Sequence, residues 1–159
     1  MAEAIGVASA VTTLIATAYK SSKTLYYILS GIKNAPRHLH LLSCGLEDLY
    51  LVLGTIQAML DDQESAQGIL QSTASENLTN VLQNSLDVLS RISMIVKAYA
   101  SGGTSMDIST WQRVKWTFKE KEIDDLRKRL LDHKITLNLT ISVANLSVNS
   151  NQISMPWLT

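Results

Sequence analysis

Apolar residues recur along most of the chain at alternating steps of three and four positions, the spacing of helices that pack along one face. The clearest run consists of Leu39, Leu42, Leu46, Leu49, Leu53, Ile56 and Leu60. A similar run at the N-terminus consists of Ala4, Val7, Val11, Leu14, Ala18, Leu25, Ile28 and Ile32. Pro36 suits the first turn of the second helix. The pattern therefore predicts two long helices, the second of them central.

Two further helices are predicted by their N-terminal signals. Residues 73–76 (TASE) and 109–112 (STWQ) are capping boxes, in which each end residue can satisfy a backbone amide of the other. The apolar spacing after the first box runs from Leu78 to Tyr99, and residues 101–103 (SGG) end it. The spacing after the second box continues through Leu137.

The segment from Ile135 to Val143 alternates apolar and polar residues, a period of two that is typical of a strand. We nevertheless predict a helix, because no other segment offers a partner strand and a lone strand leaves its backbone groups unpaired. The fold predicted is all-α: an antiparallel four-helix bundle, with or without an extra short helix. Residues 1–148 form the bundle, and residues 149–159 form a polar tail or linker.

Composition supports long helices, since the 159 residues include only seven glycines and two prolines. The formal net charge is zero, but the charges are uneven. Residues 38–90 hold seven acids and no Lys or Arg, and no charge occurs from Ile135 onwards. Complementarity between helices explains this pattern, and a basic face for anionic lipid is the alternative. The single cysteine, Cys44, excludes an internal disulfide and fits a reducing compartment.

The first helix is unusual because the sixteen residues between Glu3 and Lys20 carry no charge. A secretory signal is disfavoured, since the basic n-region is missing. Sixteen helical residues reach about 24 Å, less than the roughly 30 Å of a bilayer's hydrocarbon core. The face opposite the apolar run carries small residues where Glu and Lys are usual: Gly6, Ser9, Thr12, Thr13, Ala16 and Thr17. We expect this helix to sit in the bundle or to leave it at modest cost.

No pattern indicates catalysis. The chain has no phosphate-binding loop, and His38, His40 and Cys44 are too few to predict a metal site. Trp111 and Trp116 lie among basic residues, but neighbouring acids and zero net charge disfavour nucleic-acid binding. We therefore predict no catalytic residue, no cofactor, no metal and no enzymatic activity.

Three segments together resemble the HeLo-like N-terminal domain of fungal STAND (NLR-type) proteins. They are "EAIGVASAVTTLIATA", "YYILSGIKNAPRHLHLLSCGLEDLYLVL" and "WQRVKWTFKEKEIDDLRKRLLDHKITLNLTISV". The resemblance covers residues 1–148. It implies a cell-death executioner that self-associates after activation by an attached or partner NLR-type sensor. Such a domain moves from the cytoplasm to the plasma membrane and permeabilises it through its N-terminal helix.

Carried onto this sequence, the resemblance gives membrane-inserting candidates, and the charge pattern adds lysines that would stay at phospholipid headgroups. The candidates for insertion are Ile5, Val7, Val11, Leu14 and Ile15, and those for the headgroups are Lys20 and Lys23. The expected partners are anionic phospholipids, other copies of the chain and the sensor, but not nucleic acid. The alternative is a helical adaptor that mediates receptor assembly without touching lipid.

Overall fold

The computed structural model describes the backbone of residues 2–70, 74–100 and 110–153, all of it helix, turn or short connection. Side chains are described for residues 6–62, 65–70, 75–98, 119–150 and Ile153. The five helices are α1 (Ala2–Ser30), α2 (Arg37–Asp61), α3 (Gln63–Leu70), α4 (Ala74–Ala100) and α5 (Thr110–Ile153). The predicted all-α class is confirmed, and α3 is the extra short helix. The side chains of Ile5, Trp111 and Trp116 lie outside the described part.

The turn between α1 and α2 follows from local chemistry. Asn34 adopts the left-handed conformation (φ 54°), which asparagine tolerates better than most residues. Pro36 then occupies the N-cap of α2, and its carbonyl accepts hydrogen bonds from the amides of Leu39 and His40. Proline thus stands one position before the helix, where its fixed φ costs nothing. These residues reverse the chain and set α2 against α1.

A single acid separates α2 from α3. Asp62 is extended, and its carboxylate accepts from both the amide (3.1 Å) and the hydroxyl (2.7 Å) of Ser65. These hydrogen bonds cap α3 and lower the pKa of Asp62. Residues 61–68 (DDQESAQG) therefore end one helix and start the next.

The helices pack in the spatial order α1, α2, α5, α4, so that α1 and α5 stand at opposite corners of the bundle. The helices α1 and α2 run antiparallel, since Tyr19 lies against Gly54 and Tyr26, later in α1, lies against Tyr50, earlier in α2. The neighbours α2 and α5 run parallel, since Gly45 faces Leu130 and, one turn further along both helices, Asp48 pairs with Lys134 at 2.7 Å. The short helix α3 packs on the C-terminal half of α5, where Gly68 lies against Val148.

The core is formed by the apolar spacing of all four long helices, and the predicted run on α2 is buried from Leu39 to Ile56. On α1 the buried face is rotated from the predicted one. Val7 and Ile28 are 45% and 46% exposed, whereas Ile15 and Leu29 are fully or almost fully buried. The sequence permits either rotation of α1, because Ile15 and Leu29 each stand next to an apolar residue of the predicted run.

The segment 135–143 is helical, as predicted, and its period of two now has an explanation. Leu137 and Ala144 face the core, whereas Ile135, Leu139 and Val143 are at least half exposed. A helix with apolar residues on two opposite sides can imitate the alternation of a strand over nine residues. The helix continues to Ile153 and includes the first residues of the predicted tail.

One titratable side chain lies between α4 and α5. The hydroxyl of buried Ser85 donates to the carbonyl of Val81, so its oxygen is left to accept from Nδ1 of His133 at 3.1 Å. Burial lowers the pKa of His133, which therefore favours the neutral ring in the folded state. The nearby charges oppose each other, since Asp132 raises the pKa and Arg129 lowers it.

We predict that acidification from pH 8 to pH 5 destabilises the bundle through His133. The unfolded chain binds a proton near pH 6.5, whereas the folded chain does so only at lower pH, so stability is retained above that window and lost as the pH falls through it. Thermal melting should show His133→Gln to be less pH-sensitive than the parent chain. His40→Gln, at an exposed position, is the control. Equal pH dependence in all three chains would contradict the prediction.

Candidate functional site

The side of α1 that points away from the bundle forms a surface of small uncharged residues, here called the outer face of α1. It consists of Gly6, Ser9, Ala10, Thr12, Thr13, Ala16 and Thr17, all exposed. The opposite side of the helix carries Val11 and Ile15, both 0% exposed. Because no charged residue lies between Glu3 and Lys20, this outer face has no charged side chain to hold water against it.

The threonine hydroxyls on this face are already bonded within the helix. Thr12 donates to the carbonyl of Ala8 (2.9 Å), Thr13 to that of Ser9 (2.9 Å) and Thr17 to that of Thr13 (2.8 Å). A hydroxyl without a partner is costly to move out of water, and these donors keep their partners wherever the helix goes. The outer face is therefore less polar than its composition suggests.

The candidate inserting residues are not on one surface. Val11 and Ile15 are buried in the core, Leu14 packs at its margin, and Val7 is exposed. Lipid could reach the buried pair only if α1 left the bundle. Release of α1 would also expose Leu25 and Leu29. Exposing these four side chains would cost on the order of 10 kcal/mol, comparable to the whole stability of a domain, so the modest cost expected from the sequence is wrong.

The two candidate lysines differ in their surroundings. Lys23 is half-buried. Its Nζ donates a hydrogen bond to the hydroxyl of Tyr19 at 3.4 Å and lies 5.5 Å from the centroid of the same ring. The hydrogen bond is the main cause of the raised pKa of Lys23. Lys20 is exposed and has no ion-pair partner among the described residues. Of the two, Lys20 is the more available to an external anion.

Lys20 stands at a groove of about 530 Å³ between α1 and α4. Leu25, Ile28, Leu86, Leu89 and Met94 supply its apolar lining. Lys97 is a second cation of the groove, and none of the described residues that line it is an acid. The groove thus combines positive charge with an apolar wall. Sequence reasoning missed Lys97, because nothing in the sequence indicates that α4 lies beside α1.

Other candidate chemistry is sparse. Cys44 and His40 are exposed, and no three His, Cys, Asp or Glu side chains in the described part lie close enough to hold a metal ion. Among the described helices, α2 alone has the length and mean hydropathy of a membrane span. Since the apolar run of α2 is buried, packing in the bundle accounts for that composition.

A comparison with protein families matches residues 2–156 to the N-terminal domain of the pigment biosynthesis cluster protein PigL. The chain belongs to this family. The match covers the bundle from the start of α1 to beyond the end of α5. Neither a curated protein nor a solved structure shows a significant match. The family description names an N-terminal domain and does not state what it does.

We predict that the two sides of α1 respond differently to an introduced carboxylate. Ile15→Glu places a charge in the core and should destabilise the bundle by about 3–5 kcal/mol. Thr13→Glu, on the outer face, should change stability by about 0.5 kcal/mol or less. Urea denaturation followed by circular dichroism measures both changes. Similar losses in the two variants would mean that the outer face is not solvent-exposed.

Proposed function

We propose that this chain is a cell-death executioner module of the HeLo-like type. In this proposal it is cytoplasmic, is activated by an attached or partner NLR-type sensor, self-associates, and permeabilises the plasma membrane with α1. The description of the family as an N-terminal domain supports a role as one module of a longer protein.

The observation that carries the proposal is the outer face of α1. An exposed helix of a globular domain normally presents Lys and Glu to water, and this one presents small residues with internally bonded hydroxyls. Small residues also let helices approach closely inside lipid, so that several copies can shield one another's polar atoms. The face therefore suits both a membrane surface and a helix assembly within it.

The position of Lys20 and Lys97 supports anionic phospholipid as the partner. Both lysines border the groove next to the outer face of α1, and its lining, as far as the structure describes it, includes no acid. A lysine near an anionic bilayer contributes about 1 kcal/mol of attraction. The apolar wall of the groove is suited to lie against the acyl region once the headgroups are engaged.

Burial of Val11 and Ile15 favours a second candidate function, the adaptor. If α1 never leaves the core, the bundle can transmit receptor assembly through its surfaces without permeabilising a membrane. The two functions differ in what happens to the inner side of α1 when lipid is added. Permeabilisation through α1 requires Val11 and Ile15 to leave their protein neighbours and contact acyl chains.

Vesicle leakage tests the proposal. The purified domain should release dye from vesicles that contain phosphatidylserine, and Thr13→Glu with Thr17→Glu should abolish the release without unfolding the protein, because two carboxylates on the outer face oppose entry into lipid. The matched control is Asn80→Glu with Asn84→Glu, which places the same charges at the same spacing on exposed positions of α4. Equal leakage from both double variants, or none from the parent, would favour the adaptor.

The headgroup contacts are tested by binding rather than by leakage. Lys20→Gln with Lys97→Gln should weaken binding to the same vesicles by about 10- to 30-fold, the loss expected for two lysines at a charged surface. Lys121→Gln with Lys128→Gln, two exposed positions on α5, removes the same charge away from the groove. A similar loss in this control pair would show that only the total charge matters.

A further inference from the structure

The C-terminal half of α5 has a second apolar side, here called the α5 stripe. It consists of Leu131, Ile135, Leu139, Val143, Leu146 and Ile153, which are 50–74% exposed. At 100° per residue these positions fall within one third of the helix circumference. The core side of the same segment, with Leu137 and Ala144, points the opposite way. One side is covered by the bundle, and the stripe is covered by none of the described helices.

From Ile135 to Ile153 the segment that carries the stripe has no charged residue, and three hydroxyls of this segment are bonded within the helix. The hydroxyls of Thr136, Ser142 and Ser147 donate to backbone carbonyls four residues earlier, as on α1. A contiguous exposed apolar surface of this kind marks an interaction site more often than chance exposure does.

We propose that the α5 stripe binds the α5 stripe of a second copy of this chain, with the two helices antiparallel. The charges on α5 favour this orientation. The same side of α5 carries Lys121, Asp125 and Lys128 before the stripe, and Asp132 beside its first residue. A parallel pair would set each of these beside its own copy, which is repulsive. Antiparallel overlap of the two stripes leaves Lys121, Asp125 and Lys128 outside the contact and places Asp132 at its edge.

The stripe is also complementary to itself. With a two-fold axis between Ser142 and Val143, Leu139 of one copy meets Leu146 of the other, and the same contact occurs twice. At each end, Ile153 of one copy falls beside Leu131 and Asp132 of the other. A two-fold interface needs this internal symmetry, because each residue must suit the residue that its own copy places opposite.

The area available sets the strength of the dimer. The stripe covers 22 steps of the helix, about 33 Å in length and roughly 10–12 Å in width, or about 350–400 Å² for each copy. A standard stable interface buries about 800 Å² for each partner. We therefore expect a reversible dimer with a dissociation constant of about 10 μM or weaker. This association goes beyond the proposed membrane function and does not depend on it.

Sedimentation velocity without lipid, over about 5–500 μM protein, tests the dimer. The parent chain should shift from monomer to dimer as its concentration rises. Leu139→Glu should weaken association by at least about 100-fold, since it places a charge where the dimer would bury a leucine. Leu51→Glu is the control, because Leu51 is a similarly exposed leucine (55%) on α2. Circular dichroism checks that each variant is folded.

A double variant tests the orientation. Adding Leu146→Lys to Leu139→Glu should restore association, because an antiparallel pair places each introduced carboxylate beside an introduced ammonium. A parallel pair would place like charges together and give no rescue. A parent chain that stays monomeric overturns the proposal, as does a Leu139→Glu chain that associates like the parent. Loss of vesicle binding by Leu139→Glu, with the parent monomeric, would assign the stripe to lipid and also overturn it.

Discussion

The burial of the leucine run on α2 is the constraint on which the rest of the structure depends. Leu39, Leu46 and Leu53 are at most 1% exposed, and α2 contacts α1, α3 and α5. Because α2 occupies this position, α1 and α5 lie on either side of it at opposite corners of the bundle. Each corner helix can then bury only one side. The outer face of α1 and the α5 stripe both follow from that arrangement.

The two uncovered surfaces differ in chemistry although both lack charge. The outer face of α1 is small and carries hydroxyls that are bonded within the helix. The α5 stripe consists of large aliphatic side chains. Burying large aliphatics yields a favourable free energy in any contact that excludes water, whereas a small face mainly permits close approach. The large aliphatic side chains of the α5 stripe therefore suit a reversible dimer. The small residues of the outer face of α1 suit packing of helices within a bilayer.

Most of the fold could be predicted from the sequence, because apolar spacing, capping boxes and the turn at Pro36 are local signals. The rotation of α1 could not be predicted. Leu14 fits the apolar spacing almost as well as Ile15, and Ile28 almost as well as Leu29. Only packing against α2 and α4 determines which residue of each pair is buried. Asp62 gave a signal that was overlooked, because an acid three residues before a serine can cap a helix. Lys97 had no local signal, because its relation to Lys20 exists only once α1 and α4 are neighbours.

The diagonal arrangement also relates the two proposed associations. The outer face of α1 and the α5 stripe lie at opposite corners and point in roughly opposite directions. A dimer formed through α5 therefore presents its two α1 surfaces on opposite sides. A flat membrane can meet only one of them at a time. Simultaneous engagement of both copies requires the weak α5 contact to open, and a small interface makes that opening inexpensive. Such a dimer is consistent with a resting form and not with the assembly that would enter lipid.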